Sequence, residues 1–162
     1  MRIRDAHSDD LSTIAAIYDR EVIDSVSTFD TEVRTPDEWA EWLRRHPADA
    51  YPVLVGEIDG QVIGWASVSK WSDRKAYART AEVSVFIHHE SRDRGVGRQL
   101  MDALIDRATQ LGRLTLIARI ESRGEASIRL HESLGFTRIG TMHRAGYKHG
   151  RLLDVVLMER LA

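Results

Sequence analysis

Apolar positions change their spacing along the chain, and the changes mark the elements. Short alternating or continuous apolar runs predict strands from Arg2 to Ala6, Val53 to Ile58, Val62 to Ser69, Thr80 to Ile87, Leu114 to Ile120, Phe136 to His143 and Leu152 to Glu159. Elsewhere the apolar residues recur at helical spacing. Leu11, Ile14, Ala15, Ile17 and Tyr18 follow the helix start Ser8-Asp9-Asp10. Trp39, Trp42 and Leu43 follow Thr35-Pro36-Asp37-Glu38, in which Thr35 can cap, Pro36 suits the first turn and Glu38 completes a capping box. Leu100, Met101, Leu104, Ile105 and Ala108 share one stripe of a helix predicted from Gly95 to Leu111. A last helix runs from Glu125 to Leu134 and stops at Gly135. Asp59-Gly60 predicts a tight hairpin, and Ser25 to Arg34 reads as a loop. The order is β-α-α-β-β-β-α-β-α-β-β. An antiparallel meander followed by a β-α-β unit predicts a mixed α/β (α+β) sheet with helices on both faces.

Composition adds exclusions. The 162 residues, 43% hydrophobic and 30% charged, suit one domain spanning residues 1–162. A net charge of −2 with no polybasic run argues against nucleic acid and an anionic membrane as partners. No apolar stretch reaches bilayer-spanning length. Met1-Arg2-Ile3-Arg4-Asp5 lacks the apolar run of a secretory signal. With no cysteine, disulfides and cysteine chemistry are excluded together, and the expected location is the cytoplasm. No metal is expected: the seven histidines are scattered, there is no H-E-x-x-H, and His88 and His89 would point oppositely at a strand end.

The sharpest motif is Arg92-Asp93-Arg94-Gly95-Val96-Gly97, between a strand and an amphipathic helix. A helix N-terminus presents free backbone N–H groups and a positive dipole end, which together bind anions. Gly95 and Gly97 are expected to let the backbone approach a ligand closely. Arg92, Arg94 and Arg98 outweigh Glu90 and Asp93. Read alone, the motif is equally a glycine-bearing turn with solvated arginines. Its spacing is neither that of a P-loop nor that of a dinucleotide fingerprint, which disfavours ATP and NAD.

R-x-x-G-x-G after an antiparallel strand resembles the acetyl-CoA pyrophosphate loop of the GNAT superfamily of N-acetyltransferases. The flanking chain is similar to the phosphinothricin and methionine sulfoximine acetyltransferase branch. The matching stretches are Ile14-Ala15-Ala16-Ile17-Tyr18, Ser27-Thr28-Phe29, Thr80 to Ile87, Ala126 to Phe136 and Gly146-Tyr147-Lys148-His149-Gly150-Arg151. The resemblance implies a mostly antiparallel central sheet. It also implies direct transfer of the acetyl group of acetyl-CoA to the amino group of a small amino-acid-like substrate, and a homodimer. The phosphate loop would be Arg92, Asp93, Arg94, Gly95, Val96, Gly97 and Arg98.

Acetyl transfer from a thioester to an amine needs a base for the ammonium, a donor for the oxyanion and a proton for the thiolate. Glu82 is the candidate base. It shares one strand face with Ser84 and Phe86, opposite Ala81, Val83, Val85 and Ile87. Without context it reads as a carboxylate on a wet face. Under a helix or ligand it would be desolvated, which makes a carboxylate a better base. His131, on one helical face with Ser127 and Leu134, stands where many GNAT enzymes carry a tyrosine near the departing sulfur. It could protonate the thiolate or pass on a proton from the amine, or be a core histidine bonded to a carbonyl. The oxyanion donor is expected among the backbone N–H groups of Val85, Phe86 and Ile87. Gly124 stands where the branch usually has a cofactor- or water-contacting asparagine, and Phe86 where it usually has tyrosine. Ser127 is expected beside the cofactor. Arg74, Tyr77 and Arg79 lie where the branch places groups near the acceptor, and an arginine there could pair with a substrate carboxylate or phosphinate. Phe29 is expected to shape the acceptor pocket. The alternatives are another amine (polyamine, aminoglycoside or protein N-terminus) or a non-catalytic acyl-CoA sensor.

Overall fold

The computed structural model describes residues 1–162. In chain order the elements are β1 (Arg2–Asp5), α1 (Leu11–Asp24), α2 (Pro36–Arg44), β2 (Val53–Ile58), β3 (Gln61–Lys70), β4 (Thr80–Ile87), α3 (Val96–Gln110), β5 (Thr115–Glu121), α4 (Glu125–Ser133), β6 (Thr137–Lys148) and β7 (Arg151–Leu161). One seven-stranded sheet has the order β1-β2-β3-β4-β5-β7-β6. Every neighbouring pair is antiparallel except β4 with β5. The mixed sheet with helices on both faces matches the expectation from the sequence.

Local chemistry sets the boundaries. Thr35 accepts from the Glu38 N–H at 3.3 Å, and Glu38 accepts from the Thr35 N–H at 2.7 Å, so the capping box forms. Asp59 and Gly60 have φ of 50° and 80°, the left-handed pair that a two-residue hairpin needs. The last strand pair is longer than the apolar pattern implied. β6 continues past His143 to Lys148, through a bulge in which Met142 pairs with Val155 and Gly146 with Leu153. The Asp154 carboxylate fills the bulge. It accepts from the Arg144 N–H at 2.7 Å and lies 3.1 Å from His143 Nδ1. The polar bulge hides the continuity of the strand from its sequence.

Two cores hold the sheet. On one face Leu100, Met101, Leu104, Ile105 and Ala108 of α3 meet Ala66, Val68, Ala81 and Val83, and Ile128 of α4 joins them. On the other, Ile14, Ile17, Tyr18 and Trp39 of α1 and α2 meet Val53, Val55 and Trp65, with Trp42 and Phe86 packed alongside. A glycine pair sets the seat of α3. Gly56 and Gly64 are register partners on β2 and β3. A Cβ on Gly64 would lie 2.7 Å from Ile87 Cδ1, 3.1 Å from the Phe86 carbonyl oxygen and 3.2 Å from Leu100 Cδ1. The helix that follows the glycine motif therefore rests directly on bare backbone.

This seat predicts a stability loss. Gly64→Ala overpacks the contact and should lower unfolding free energy by about 1–3 kcal/mol. Urea denaturation with an unchanged slope and a lower midpoint is the expected result, and an unchanged midpoint would contradict the packing described.

Candidate active-site cleft

β4 and β5 pair only at Thr80↔Thr115, Ala81↔Leu116 and Glu82↔Ile117. Beyond that point the two strands separate, although β4 stays paired with β3 along its length. A cleft of about 1280 Å³ opens in the gap. The His88 N–H donates to the Ile63 carbonyl at 2.8 Å. The alternation of an antiparallel ladder then turns the Phe86 amide toward β3 and the Val85 and Ile87 amides toward the gap. Of the three expected oxyanion donors, Phe86 is thus corrected: its N–H is committed to β3. Its ring lines the cleft and packs 4.9 Å from those of Tyr18 and Trp65.

The glycine motif closes one end of the cleft. Gly95 is the N-cap of α3 with φ of 75°, and no side chain caps the helix. The first turn holds no acidic residue, so its orphan N–H groups face an anion-accepting space. The two glycines differ in what they do for the backbone. Gly95 supplies the left-handed backbone, and a Cβ there would meet nothing within 4 Å. A Cβ on Gly97 would meet Leu130 Cδ2 at 3.3 Å and Ile87 Cγ1 at 3.7 Å, so its absence lets α3 start against α4. Asp93, Gly95, Val96, Gly97 and Arg98 line the cleft, while Arg94 is exposed and does not. Arg92 reaches the cleft wall but is ion-paired to Glu21 on α1, and Arg98 donates to Ser133 Oγ at 3.1 Å. The loop's positive end is therefore mainly backbone.

Glu82 lies where the strands begin to part. Arg119 of β5 forks onto it, with Nε to Oε1 at 2.6 Å and Nη2 to Oε2 at 2.8 Å. The carboxylate is neither the solvated group nor the simply desolvated one that the strand pattern offered. His131 on α4 lines the cleft and is 3% exposed. Its Nδ1 is 2.8 Å from the Ser127 carbonyl oxygen. A carbonyl only accepts, so Nδ1 carries the proton and neutral His131 leaves Nε2 as a bare acceptor. Burial pushes the imidazole below its ordinary value, against the carbonyl bond, which acts to raise it. His131 is thus bonded to a carbonyl and also lines the cleft. Gly124 and Ser127 also line the cleft at the start of α4, where the Gly124 N–H donates to the Glu121 carbonyl at 2.8 Å.

The opposite end is built by the loop after α1. Phe29 lines the cleft, its ring lying on Gly146, where a Cβ would collide with the ring. Lys148, at the end of β6, is buried and donates to the Thr28 carbonyl at 2.8 Å and the Glu21 carbonyl at 3.3 Å. Burial pushes its ammonium down, while Asp30 and Glu21 pull it up. Burial also pushes the Glu21 carboxyl up, but Ser25, Ser27 and Arg92 together hold it below the usual carboxylate range. Arg74, Tyr77 and Arg79 are not brought to this site. They are exposed around the short turn Lys75–Tyr77 before β4, and none lines the cleft.

Two further cleft residues, Arg119 and Glu21, carry no local signal of their role: Arg119 interrupts an apolar strand, and Glu21 falls on the buried stripe of α1. His88 and His89 also depart from expectation. They lie at a short turn, His89–Ser91, and their rings are 4.4 Å apart instead of opposed. No group of three or more histidines and carboxylates is placed to hold a metal, and no helix is long and apolar enough to cross a membrane.

Residues 3–157 match the acetyltransferase (GNAT) domain family. The chain is 36% identical to the L-amino acid N-acyltransferase MnaT of Escherichia coli, covering 98% of this chain and 92% of that one. It is 38% identical to the L-methionine sulfoximine/L-methionine sulfone acetyltransferase of Salmonella typhimurium, covering 98% and 93%. A phosphinothricin acetyltransferase from Sinorhizobium meliloti, solved in complex with acetyl-CoA, superposes with a TM-score of 0.95 at 36% identity, over 99% of this chain and 87% of that one. The parted strands, the uncapped glycine-led helix and these matches agree: the chain belongs to the GNAT acetyltransferase family.

Proposed function

We propose that the protein transfers the acetyl group of acetyl-CoA directly to the amino group of a small amino-acid-like acceptor of the phosphinothricin, methionine sulfoximine or methionine sulfone type. The observation that carries this reading is the gap between β4 and β5, with Glu82 at its narrow end and the uncapped start of α3 at its mouth. The residues that would hold acetyl-CoA are the backbone from Asp93 to Arg98, which meets the pyrophosphate, and the Val85 and Ile87 amides, which meet the pantetheine arm or the thioester oxygen. Bound there, acetyl-CoA supplies the activated acetyl group. Glu82 takes one proton from the acceptor ammonium. The free amine forms the new C–N bond at the thioester carbon, and the Val85 or Ile87 N–H bonds the oxyanion. The C–S bond then breaks, and the thiolate receives the second proton lost by the nitrogen, relayed through His131.

Residues 1–162 act as one catalytic domain, in the cytoplasm and as a homodimer. The dimer reading is supported by β6, an edge strand that exposes Ile139, Met142 and Tyr147, with Leu152 beside it on β7. Sedimentation velocity should show a dimer at micromolar concentration that Ile139→Lys converts to monomer. A wild-type chain that sediments as a monomer throughout would exclude it.

Gly95→Ala forces a side chain into the left-handed region, a strain of about 1–2 kcal/mol. Relief of that strain deforms the start of α3, so the Kd for acetyl-CoA should rise by about tenfold, equivalent to about 1.4 kcal/mol. Calorimetric titration checks this, and unchanged affinity in a folded variant would remove the loop from the cofactor site.

Glu82→Gln keeps shape and hydrogen-bonding reach but cannot take the ammonium proton. Its kcat should fall by about 10²–10⁴-fold while acetyl-CoA affinity hardly moves. The loss should shrink at high pH, where more acceptor is already neutral. Thiol release from acetyl-CoA with methionine sulfone, methionine sulfoximine, phosphinothricin and a polyamine reads both function and variant. Near wild-type kcat in Glu82→Gln would place the base elsewhere, and preference for the polyamine would refute the acceptor class.

A further inference from the structure

The pairing of Glu82 with Arg119 changes what the acceptor must do. Ile117 is the register partner of Glu82, and Arg119 lies two residues further along β5, on the same face of the strand. There the strands have parted, so Arg119 leans back across the gap to reach the carboxylate. The fork engages Nε and Nη2, one on each carboxylate oxygen. A guanidinium carries five N–H donors, so Nη1 and the second hydrogen of Nη2 are left for another anion. The exposed partner is the cation: the Glu82 side chain is 16% exposed and that of Arg119 is 53%.

The other cations at or near the cleft make no contact with Glu82. Arg34 is ion-paired to Asp30 and stacked over Tyr18 and Trp39. Arg92 is held by Glu21, and Lys148 by two backbone carbonyls. Arg98 stands at the phosphate loop, Arg123 at the turn before α4 and Arg151 at the start of β7. Arg74 and Arg79 do not line the cleft. Arg119 alone joins open donors to contact with Glu82.

We propose that Arg119 is a specificity-determining residue that exchanges Glu82 for the carboxylate of the acceptor. The proposal rests on Glu82 being the base and the acceptor an amino acid. An incoming α-amino acid lays its carboxylate on the guanidinium and its ammonium on the carboxylate, so the internal ion pair is replaced by two intermolecular ones. Glu82 is thereby released from the fork at the moment an ammonium lies against it. One N–H proton passes to a Glu82 oxygen, and the neutral amine is left free to attack. An amine without a carboxylate finds Glu82 still clamped. The acceptor carboxylate therefore contributes to kcat as well as to KM, which a merely attractive cation would not produce.

The test compares methionine sulfone with its decarboxylated analogue, 3-(methylsulfonyl)propylamine, in wild type, Arg119→Gln and Arg119→Lys. Acetyl-CoA affinity is measured in each as a check on folding and on the cofactor site. Wild type should favour the amino acid in both kcat and kcat/KM. Arg119→Gln should shrink the kcat/KM preference by about tenfold or more, the loss falling on the amino acid rather than on the decarboxylated amine. Arg119→Lys, which keeps the charge but not the fork, should restore part of the preference. An unchanged preference in Arg119→Gln, or an equal loss on both acceptors, overturns the exchange. Wild-type enzyme that acetylates neither compound nor any other amino acid overturns the proposed function, and this inference with it.

Discussion

The early end of the β4–β5 ladder is the constraint on which the rest of the molecule depends. Three register pairs hold the strands together and then stop, while β4 remains fully paired with β3 and β5 with β7. Unpaired backbone amides inside a sheet cost about 1–3 kcal/mol each when nothing satisfies them. Here they face an open cleft, where water or the amides of a bound cofactor can pair with them. The same gap that forfeits sheet hydrogen bonds thus presents Val85 and Ile87 as donors. Rigidity comes from outside the gap: α3 rests on the Gly56–Gly64 pair on one face, and Tyr18, Trp39 and Trp65 lock the other.

A polar layer joins the two ends of the cleft. Glu21 ties Arg92 of the glycine loop to the end of α1, and the ammonium of Lys148 holds the carbonyls of Glu21 and Thr28. The Tyr18 hydroxyl donates to Asp30 at 2.8 Å and lies 2.6 Å from Thr28 Oγ1. A buried lysine and a buried glutamate are tolerated because each has partners. The result is that the loop carrying Phe29 is anchored by hydrogen bonds rather than by a large apolar face. A loop held this way keeps its shape while leaving its outer surface free to contact an acceptor.

Much of this was legible in the sequence, and the failures share a cause. Elements followed from periodicity, caps and turn residues because those signals are local: Thr35 and Glu38 meet within one turn, and Asp59-Gly60 closes its own hairpin. The cleft floor was legible in part, since Glu82, His131 and the glycine motif lie on elements whose faces the pattern fixes. Partnerships across the sheet were not. Arg119 is distant in sequence from Glu82, and only the parallel register brings it within reach. Arg92 reads as a phosphate ligand until α1 is seen to place Glu21 beside it. Resemblance alone puts Arg74, Tyr77 and Arg79 at the acceptor, and the turn before β4 carries them outside. Gly97 shows the same limit: its missing Cβ serves a neighbouring helix that the motif alone does not reveal.

Proton traffic is the last step that these placements decide. An acceptor ammonium must lose one proton before attack and another as the tetrahedral intermediate collapses. The two cleft groups differ in readiness. Glu82 is held by a guanidinium, so on the proposed mechanism it accepts a proton once that partner has another anion to bind. His131 is kept neutral by burial, with Nδ1–H fixed on the Ser127 carbonyl and Nε2 bare, so it must receive a proton before it can give one. Such a ring is not a stored acid waiting for the thiolate. It suits a relay, taking the second proton from the nitrogen and releasing it to sulfur within one collapse. On the proposed reading Glu82 governs whether attack begins, and His131 governs whether the intermediate partitions forward. The order follows from what each group offers: on the proposed mechanism the carboxylate beside Arg119 takes the first proton, and the imidazole, with no proton free to give, passes on the second.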